Sequence, residues 1–454
     1  MKKLKFQLPT GMHDILFEEQ KYFQRIFKVC EEMSKFYGFK KIDTPILEQA
    51  ELFSKGVGLS TDVVSKQMYV FKTKGDDYLA LRPEGTAPIA RAYIQQGMFN
   101  WPQPVKLWYW GPFFRAEHPQ AGRYRQFWQV GFEVLEEKSP AADAQMIQLF
   151  YNILEELRFK NLIVEINSIG DNQCRPYYKK LLSNYLKTRE SSLCPDCKRG
   201  YKKNPLRVLD CKEDRCQQIK AQAPQILDYL CEECHNHFKE VLEFLDEMGL
   251  PYRLNPYLVR GLDYYTKTVF EIFSDVPVRA SLPAQAGAEP SKESDDSGDT
   301  AIKTSEEKKS LALVGGGRYD SLVKILGGKE TPAVGGAAGI ERIAQAMKAR
   351  EMKLPEEPVA KVFLAQLGGL AKKKSLKLFE DFRKTKIFVA ESFGRDSLKY
   401  QLNKANKMGI GYVLILGQKE ALEGSIIIRD MQNGKQETIK MDKVVKEIQR
   451  RLKK

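Results

Sequence analysis

The sequence lacks several features that would assign it to a class at once. None of its apolar runs is long enough to cross a bilayer, and its first residues, MKKLKFQLPTGMHDI, contain no continuous apolar core of the signal-peptide kind. No GxxxxGK[ST] loop is present, so P-loop nucleotide binding has no support. Only 4 histidines occur, which is few for a metalloenzyme built on imidazole ligands. We therefore expect no membrane partner and a cytoplasmic location.

The composition is that of a globular protein with an unevenly placed charge. The 454 residues are 43% hydrophobic and 29% charged, which predicts two to four domains with a sizeable core. The net charge is +14, and residues 361–454 hold 22 lysines and arginines against 10 acidic residues, an excess of 12. This basic end favours a polyanionic partner, most plausibly nucleic acid, over the alternative of a solubilising surface.

Periodicity and composition divide the chain into parts. The pattern predicts helices over 17–36, 88–96 and 140–157, a strand-like stretch over 41–47, a hairpin from 69–71 and 78–81, and strand again over 257–274. Glycine-rich GGGRYD and the stretch from residue 333 are interpreted as turns or close backbone packing, the second leading into a helix. We expect a core in two sections (1–169 and 251–350), interrupted by a helical, Cys-rich insertion (170–250). The second section contains a low-complexity segment (280–310). A linker (351–360) then leads to an end domain (361–454) in which strands and helices alternate around a largely parallel sheet.

The segment Lys106–Val134 carries the strongest local signal. It predicts two apolar strands around an arginine-rich loop, with Arg115 closing the first strand. Strand residues two apart share a face, so Gln129 and Glu133 lie together while Trp128, Val130 and Phe132 line the other face. An acid and an amide opposite an apolar face favour the floor of a pocket. For this pattern alone, the simpler alternative is an antiparallel hairpin with one face exposed to solvent.

Other candidate residues stand in unusual contexts. Arg115, Arg260 and Arg342 would suit a triphosphate if they converged, because a guanidinium offers a planar fork to phosphate oxygens. In LRPEGTAP, Glu84 and Thr86 would suit an ammonium group, and the alternative is that Thr86 caps the next helix.

Four motifs together resemble a known family. RPEGT, FRAEHPQAGRYRQF, VRGLDYYT and GGAAGIERI occur in this order, and they closely resemble the histidyl-tRNA synthetases, which are class II aminoacyl-tRNA synthetases. The resemblance covers essentially the whole chain except Ala280–Ser310. It implies an α+β fold: a class II core with an antiparallel sheet flanked by helices, the helical insertion, and a C-terminal α/β anticodon-binding domain. It also implies a homodimer with Pro45 near the interface.

The resemblance assigns roles to individual residues. It implies ATP-dependent activation of L-histidine, with Mg²⁺, and transfer to tRNA(His). The ATP-binding residues would be Arg115, Glu117, Phe127 and Arg342, with Arg115 and Arg260 acting on the α-phosphate as the catalytic pair. The histidine-binding residues would be Glu84, Gly85, Thr86, Gln129, Glu133, Tyr264 and Tyr265. The contacts with the tRNA acceptor end would be His118, Gln120 and Arg123.

Two positions depart from the family pattern. His118 and His13 stand where the family usually has arginine, which weakens a fixed charge at each place. These replacements put in doubt how the acceptor end is recognised, but they leave adenylate formation unaffected.

Six of the 8 cysteines cluster within the insertion. Two CxxC pairs favour a structural zinc site over reduced, buried thiols, and we predict the ligands Cys194, Cys197, Cys231 and Cys234, with Cys211 and Cys216 left over. The rival function is the non-catalytic regulatory subunit of ATP phosphoribosyltransferase, which shares the core fold but generally lacks the end domain and the full set of arginines. A general RNA-binding module derived from a synthetase is a third possibility.

Overall fold

The computed structural model describes residues 6–59, 61–117, 122–274, 312–354, 359–392 and 394–452. The chain divides into two compact units, Met1–Leu354 and Pro355–Lys454. The low-complexity segment 280–310 and part of the expected linker lie outside the described residues. Among the helices of the described part, none is both long and apolar enough to cross a membrane.

The first unit is built on a large sheet with a smaller sheet beside it. The large sheet has 8 strands in the order β1-β5-β6-β11-β10-β9-β7-β8, and the small one has 3 in the order β2-β4-β3. In the large sheet, neighbouring strands are antiparallel except at the two edges, where β1 is parallel to β5 and β7 is parallel to β8. The strands are β1 Lys40–Lys41, β2 Leu47–Gln49, β3 Val70–Lys72, β4 Tyr78–Leu81, β5 Val105–Phe114, β6 Gln126–Leu135, β7 Ile163–Ser168, β8 Tyr252–Leu254, β9 Thr266–Phe273, β10 Val314–Arg318 and β11 Ala333–Gly339.

Helices flank the sheet and form most of the insertion. The helices of the first unit are α1 Phe17–Phe36, α2 Ala50–Gly56, α3 Thr86–Gln95, α4 Pro140–Glu156, α5 Arg175–Lys187, α6 Pro195–Gly200, α7 Asp214–Ala221, α8 Glu232–Glu247, α9 Leu322–Ile325 and α10 Ile340–Ala349. The insertion is therefore mostly helical, as predicted. Its α6 and α7 are only 6 and 8 residues long, and helices this short need tertiary support to persist in water.

One face of the large sheet is covered by α1, α4 and α10. Val130 and Phe132 of β6 are fully buried in the same apolar cluster as Ile26, Phe150 and Ile343 from these three helices. Trp128 packs against the cluster as well. The predicted apolar face of this strand is confirmed, and the opposite face is left to form a pocket.

Several expected elements differ in the structure. The stretch 41–47 is largely irregular between β1 and β2, and strand begins only at Thr266 within 257–274. The glycine-rich stretches, interpreted as turns or close backbone packing, are the adjacent strands β10 and β11, so the close packing is confirmed and the turns are wrong. Their glycines allow close backbone approach, because a Cβ at Gly316 would lie 2.4 Å from the carbonyl oxygen of Gly335.

The second unit contains a five-stranded sheet in the order β13-β12-β14-β15-β16. Its first three strands are parallel, but β14 with β15 and β15 with β16 are antiparallel. The core is therefore mixed rather than largely parallel, and the last strand was not predicted. The elements are β12 Val362–Gln366, α11 Gly369–Lys384, β13 Val389–Glu391, α12 Leu398–Lys407, β14 Tyr412–Leu416, α13 Gln418–Glu423, β15 Ser425–Asp430, β16 Gln436–Lys440 and α14 Val444–Leu452.

Candidate active site

Three arginines from distant parts of the sequence line one pocket on the open face of the large sheet. Arg115 directly follows β5, Arg260 lies in the segment before β9, and Arg342 lies in the first turn of α10. The predicted residues Glu117, Phe127 and Gln129 line the same pocket, together with Arg123. The structure thus brings the candidate triphosphate-binding residues to one place.

Arg115 is held against the pocket wall by neutral partners. Its Nε donates a hydrogen bond to the carbonyl oxygen of Pro83 at 3.0 Å, and its guanidinium lies 5.2 Å from the centre of the Phe127 ring. Neither partner carries a charge. The positive charge of Arg115 therefore remains available to an anionic ligand.

Arg342 is held in a similar way. Its Nε donates to the carbonyl oxygen of Gly122 at 3.2 Å and its Nη1 to that of Ala312 at 3.1 Å. Burial, together with the nearby charges of Arg123 and Arg115, lowers the pKa of Arg342 to about 10. Like charges repel one another in the absence of an anion, so this concentration of guanidinium groups is typical of a phosphate site.

A second group of polar side chains is buried around Glu84, and its members do not line the arginine pocket. The carboxylate of Glu84 accepts hydrogen bonds from the backbone N–H groups of Thr86 at 2.8 Å and Ala87 at 3.0 Å, which caps α3. The hydroxyl of Tyr264 donates to the same carboxylate at 3.2 Å. Burial raises the pKa of Glu84, although these three hydrogen bonds oppose the shift. The N-cap position of this helix is Gly85, and the carboxylate of the preceding Glu84 accepts from its first N–H groups, so Thr86 is the first helical residue and not the cap.

Glu133 lies next to this group and is fully buried. One oxygen accepts from the hydroxyl of Thr86 at 2.8 Å, and the other accepts from Tyr319 at 2.7 Å. Burial raises the pKa of Glu133 to about 8, with the two hydrogen bonds lowering it and the charge of Glu84 raising it.

Glycines and tyrosines surround the buried carboxylates Glu84 and Glu133. The ring of Tyr109 lies over Gly85 and Gly131, where an added Cβ would approach within 2.3 Å and 2.2 Å of it. The rings of Tyr264 and Tyr265 contact each other with centroids 4.7 Å apart. Both tyrosines are buried beside Glu84 and Glu133, and each carboxylate contributes to raising their pKa values, after the larger effect of burial.

Sequence reasoning missed three residues of the site: Tyr109, Glu271 and Tyr319. Glu271 lines the arginine pocket and pairs with Arg260, and it could have been found as the one charged residue within the apolar stretch TVFEIF. Tyr109 alternates with two tryptophans on β5, which indicates the open face of the sheet. Tyr319 gave no signal, because it follows a glycine run that was interpreted as a turn.

The expected acceptor-end residues are only partly described. His118 and Gln120 lie outside the described residues. Arg123 lies at the pocket and pairs with the carboxylate of Glu117 at 3.1 Å. His13 packs on the ring of Tyr124 with centroids 4.4 Å apart, and burial lowers its pKa.

The predicted metal ligands do not form one set, which corrects the sequence analysis. Cys194 and Cys197 group with Cys211 and Cys216, whereas Cys231 and Cys234 group with Asp171 and Cys174. The CxxC spacing identified both halves correctly as local pairs but could not show which segments meet them. The path of the chain through the insertion decides that.

A mostly antiparallel sheet with helices on one face and an arginine-lined pocket on the other is the core architecture of class II aminoacyl-tRNA synthetases. Residues 11–170 match the family model of histidyl-tRNA synthetase, and residues 361–451 match that of an anticodon binding domain. The chain is 40% identical to the histidine–tRNA ligase of Dehalococcoides mccartyi over 447 residues, which cover 98% of this chain and 100% of that protein. The chain therefore belongs to the histidyl-tRNA synthetase family.

Two further similarities agree with this assignment. The histidine–tRNA ligase of Natranaerobius thermophilus is 41% identical over 429 residues, covering 94% of this chain and 95% of that protein. The crystal structure of apo histidyl-tRNA synthetase from S. aureus superposes with a TM-score of 0.74 at 31% identity, covering 97% of this chain and 99% of that one. Both similarities include the insertion and the C-terminal unit.

Proposed function

We propose that this chain is a histidine–tRNA ligase, which activates L-histidine with ATP and transfers the histidyl group to tRNA(His). The observation that carries the proposal is the convergence of Arg115, Arg260 and Arg342 on one pocket above a buried group of carboxylates and tyrosines. The similarity of the whole chain to histidine–tRNA ligases supports the same conclusion.

In the first step, the carboxylate of histidine attacks the α-phosphorus of ATP, and pyrophosphate leaves as the bond between the α- and β-phosphates breaks. The substrate is itself the nucleophile, so the protein needs to supply positioning and charge neutralisation rather than a general base. Arg115 and Arg260 would neutralise the α-phosphate, and Arg342 would hold the far phosphates. Phe127 and Glu117 would contact the adenine.

The ion that accompanies ATP is expected to be Mg²⁺, which favours carboxylate and phosphate oxygens. Glu271 is a carboxylate that lines the arginine pocket and offers an oxygen of the kind that such an ion binds. When bound, the ion would neutralise part of the phosphate charge beside the arginines.

The histidine subsite would be the group beneath the arginines. Glu84, Thr86 and Gln129 would hold the amino-acid end, with Gly85 leaving room beside Tyr109. Glu133 and Tyr265, supported by Tyr264, would bind the imidazole. Each oxygen of a carboxylate has two lone pairs, so Glu133 can accept an imidazole N–H while keeping its bonds from Thr86 and Tyr319.

In the second step, a ribose hydroxyl at the end of the tRNA attacks the carbonyl carbon of the adenylate, and AMP leaves. Arg123, at the mouth of the pocket, would contact the acceptor end together with His118 and Gln120. The basic C-terminal unit would bind the anticodon, since its strong positive charge suits a phosphate backbone.

The active form would be a homodimer in the cytoplasm, where tRNA is aminoacylated. The side chains of Ile46 and Leu47, next to Pro45, are 43% and 48% exposed and would be covered by the partner subunit. Light scattering of the purified chain tests this, with a mass of two chains as the expected result.

The exchange of labelled pyrophosphate into ATP tests the proposed reaction. Purified chain with ATP and Mg²⁺ should catalyse exchange only when histidine is added, and it should then charge tRNA(His). Lack of exchange would favour the regulatory-subunit reading or the RNA-binding reading. The full arginine set disfavours both alternatives, and the anticodon-binding unit further disfavours the regulatory subunit.

A further inference from the structure

Four cysteine sulfurs from two chain segments converge within the insertion. Cys194 and Cys197 flank the start of α6, while Cys211 and Cys216 lie before and within α7. All four sulfur atoms lie within 4.8 Å of one another, and those of Cys194 and Cys211 are 3.8 Å apart. We call this group the tetracysteine cluster. None of its members forms a disulfide.

Apolar packing alone does not account for this arrangement. The surrounding core residues, Leu193, Val208 and Leu209, are aliphatic and would suffice to bury an isolated thiol. A hydrophobic contact gives no reason for four thiols from two segments to meet with every sulfur near every other. Two of the thiols, those of Cys197 and Cys216, lie on helices of 6 and 8 residues, and helices this short depend on tertiary contacts for their stability.

We propose that the tetracysteine cluster binds a structural zinc ion. Zinc prefers four tetrahedral ligands with a zinc–sulfur distance of about 2.3 Å, which places the sulfurs about 3.8 Å apart. The distance between Cys194 and Cys211 already has this value. Backbone N–H groups also donate to the sulfurs, from Cys197 to Cys194 at 3.4 Å and from Cys194 to Cys216 at 3.3 Å, and such outer-shell bonds orient thiolate ligands.

Four thiolates would leave no open position on the metal. A zinc ion held in this way cannot bind substrate or activate water, so its role would be to join the two segments of the insertion. This inference adds a metal site that the aminoacylation chemistry does not use.

A second group joins the first residues of the insertion to the start of its last helix, α8. Asp171 and Cys174 precede α5, Cys231 precedes α8, and Cys234 lies in its first turn. Their ligand atoms also lie within 4.8 Å of one another. One carboxylate oxygen of Asp171 is 3.5 Å from the sulfur of Cys174 and 4.0 Å from that of Cys231. We call this group the boundary cluster.

The geometry of the boundary cluster points to a second, independent zinc site. Three thiolates and one carboxylate are an acceptable tetrahedral donor set for zinc. A metal here would join the start of the insertion to the start of α8. Arg175, next to Cys174, donates to the backbone oxygens of Gly170 at 2.8 Å and Tyr265 at 2.6 Å, so this site also supports the segment that carries Tyr265.

Elemental analysis of full-length protein purified without chelator tests both sites. We expect two zinc ions per chain. The variant Cys194→Ser/Cys216→Ser should keep one, Cys174→Ser/Cys231→Ser should keep the other, and the control Cys30→Ala, which changes a buried cysteine of α1 outside both groups, should keep two. If either double variant retains two zinc ions, the site that its substitutions were designed to remove is overturned. Loss of a single shared ion from both pairs would overturn the two-site assignment.

Substituting a metal ligand lowers the free energy of unfolding as well as the metal content. A second measurement therefore uses the protein without substitutions. The protein is stripped of metal and titrated with Co²⁺, which absorbs strongly in the visible range when thiolates hold it in tetrahedral geometry. We expect two equivalents to develop this absorption and zinc to displace them. Weak absorption, typical of water-coordinated cobalt, would overturn both sites.

A kinetic consequence separates the two sites, and it rests on the proposed function. Losing the boundary cluster through Cys174→Ser/Cys231→Ser should raise KM for histidine, because Arg175 would hold Tyr265 less firmly. Losing the tetracysteine cluster should leave that KM within about twofold of the unchanged chain. An equal KM effect in both variants would overturn the link to Tyr265, whereas the metal counts would stand on their own.

Discussion

Arg260 and Glu271 form an ion pair, and the guanidinium of Arg260 occupies the space that a side chain at Gly315 would fill. Glu271 on β9 is the direct register partner of Gly315 on β10, and a Cβ added at Gly315 would lie 2.3 Å from Nη2 of Arg260. The guanidinium can therefore occupy the floor of the pocket only because position 315 has no side chain. Glu271 holds it there by charge.

The first prediction concerns the charge of Arg260. Arg260→Ala should lower histidine-dependent exchange by about 100- to 1000-fold while changing histidine binding only a few-fold, since its charge is needed mainly as the α-phosphate reacts. Exchange rates give the first quantity, and calorimetric titration with histidine gives the second.

Arg25 of α1, which donates to the carbonyl oxygen of Glu156 at 3.2 Å, provides a matched control. Arg25→Ala removes the same side chain on the helix-covered face of the sheet, opposite the pocket, and should leave both quantities unchanged. If Arg260→Ala weakens histidine binding as much as it slows exchange, Arg260 serves ground-state binding instead.

The second prediction concerns the glycine beneath Arg260. Gly315→Ala should displace the guanidinium and lower exchange by at least about tenfold, because the added methyl group cannot fit without moving it. In an Arg260→Ala background the same change should have little further effect, since contacting residues are not additive. Gly411→Ala is the control, because an added Cβ there meets nothing within 4 Å. Additive losses in the double variant would contradict this account.

The sequence allowed some parts of the site to be predicted and not others. The faces of β6 followed from alternation, because a strand places Gln129 and Glu133 on the same side whatever surrounds it. The meeting of Arg115, Arg260 and Arg342 depends on long-range strand pairing, which spacing alone does not reveal. The family resemblance supplied that relationship, and the coordinates bring the three side chains to one pocket.

The glycine-rich segments show why local rules failed elsewhere. The pattern at Gly315 and Gly316 allowed either a tight turn or close backbone packing, and local sequence could not decide between them. In the structure they form the middle of a sheet, where the missing side chains make room for Arg260 and for the neighbouring strand. The reason for glycine here is tertiary, and it becomes visible only once the neighbours are known.

The third prediction concerns the pH dependence of stability. Burial raises the pKa of Glu133 from 4.5 to about 8, so between these values the unfolded chain loses a proton that the folded chain keeps. The free energy of unfolding should therefore fall as pH rises through this range, by at most about 1.4 kcal/mol per unit from this group. Glu133→Gln removes the ionisation and should flatten the curve between pH 5 and pH 8. Denaturant unfolding at several pH values measures the difference, and parallel curves for the two proteins would contradict it.

The last prediction concerns Arg318 and Asp143, both of which are fully buried. Burial alone would raise the pKa of Asp143, but Arg318 and the nearby His237 hold it at about 2. Because this value lies below the ordinary 3.8, the stabilisation is present above pH 4 and is lost as pH falls towards 2.

Arg318→Met should cost about 3–5 kcal/mol at pH 7 by leaving the carboxylate without its main partner. Arg318→Met/Asp143→Leu should recover part of that loss, whereas the exposed control Lys324→Met should cost under about 1 kcal/mol. Denaturant unfolding of the three variants measures these differences, and a loss for Arg318→Met no larger than the control would show that the buried pair does not stabilise the core.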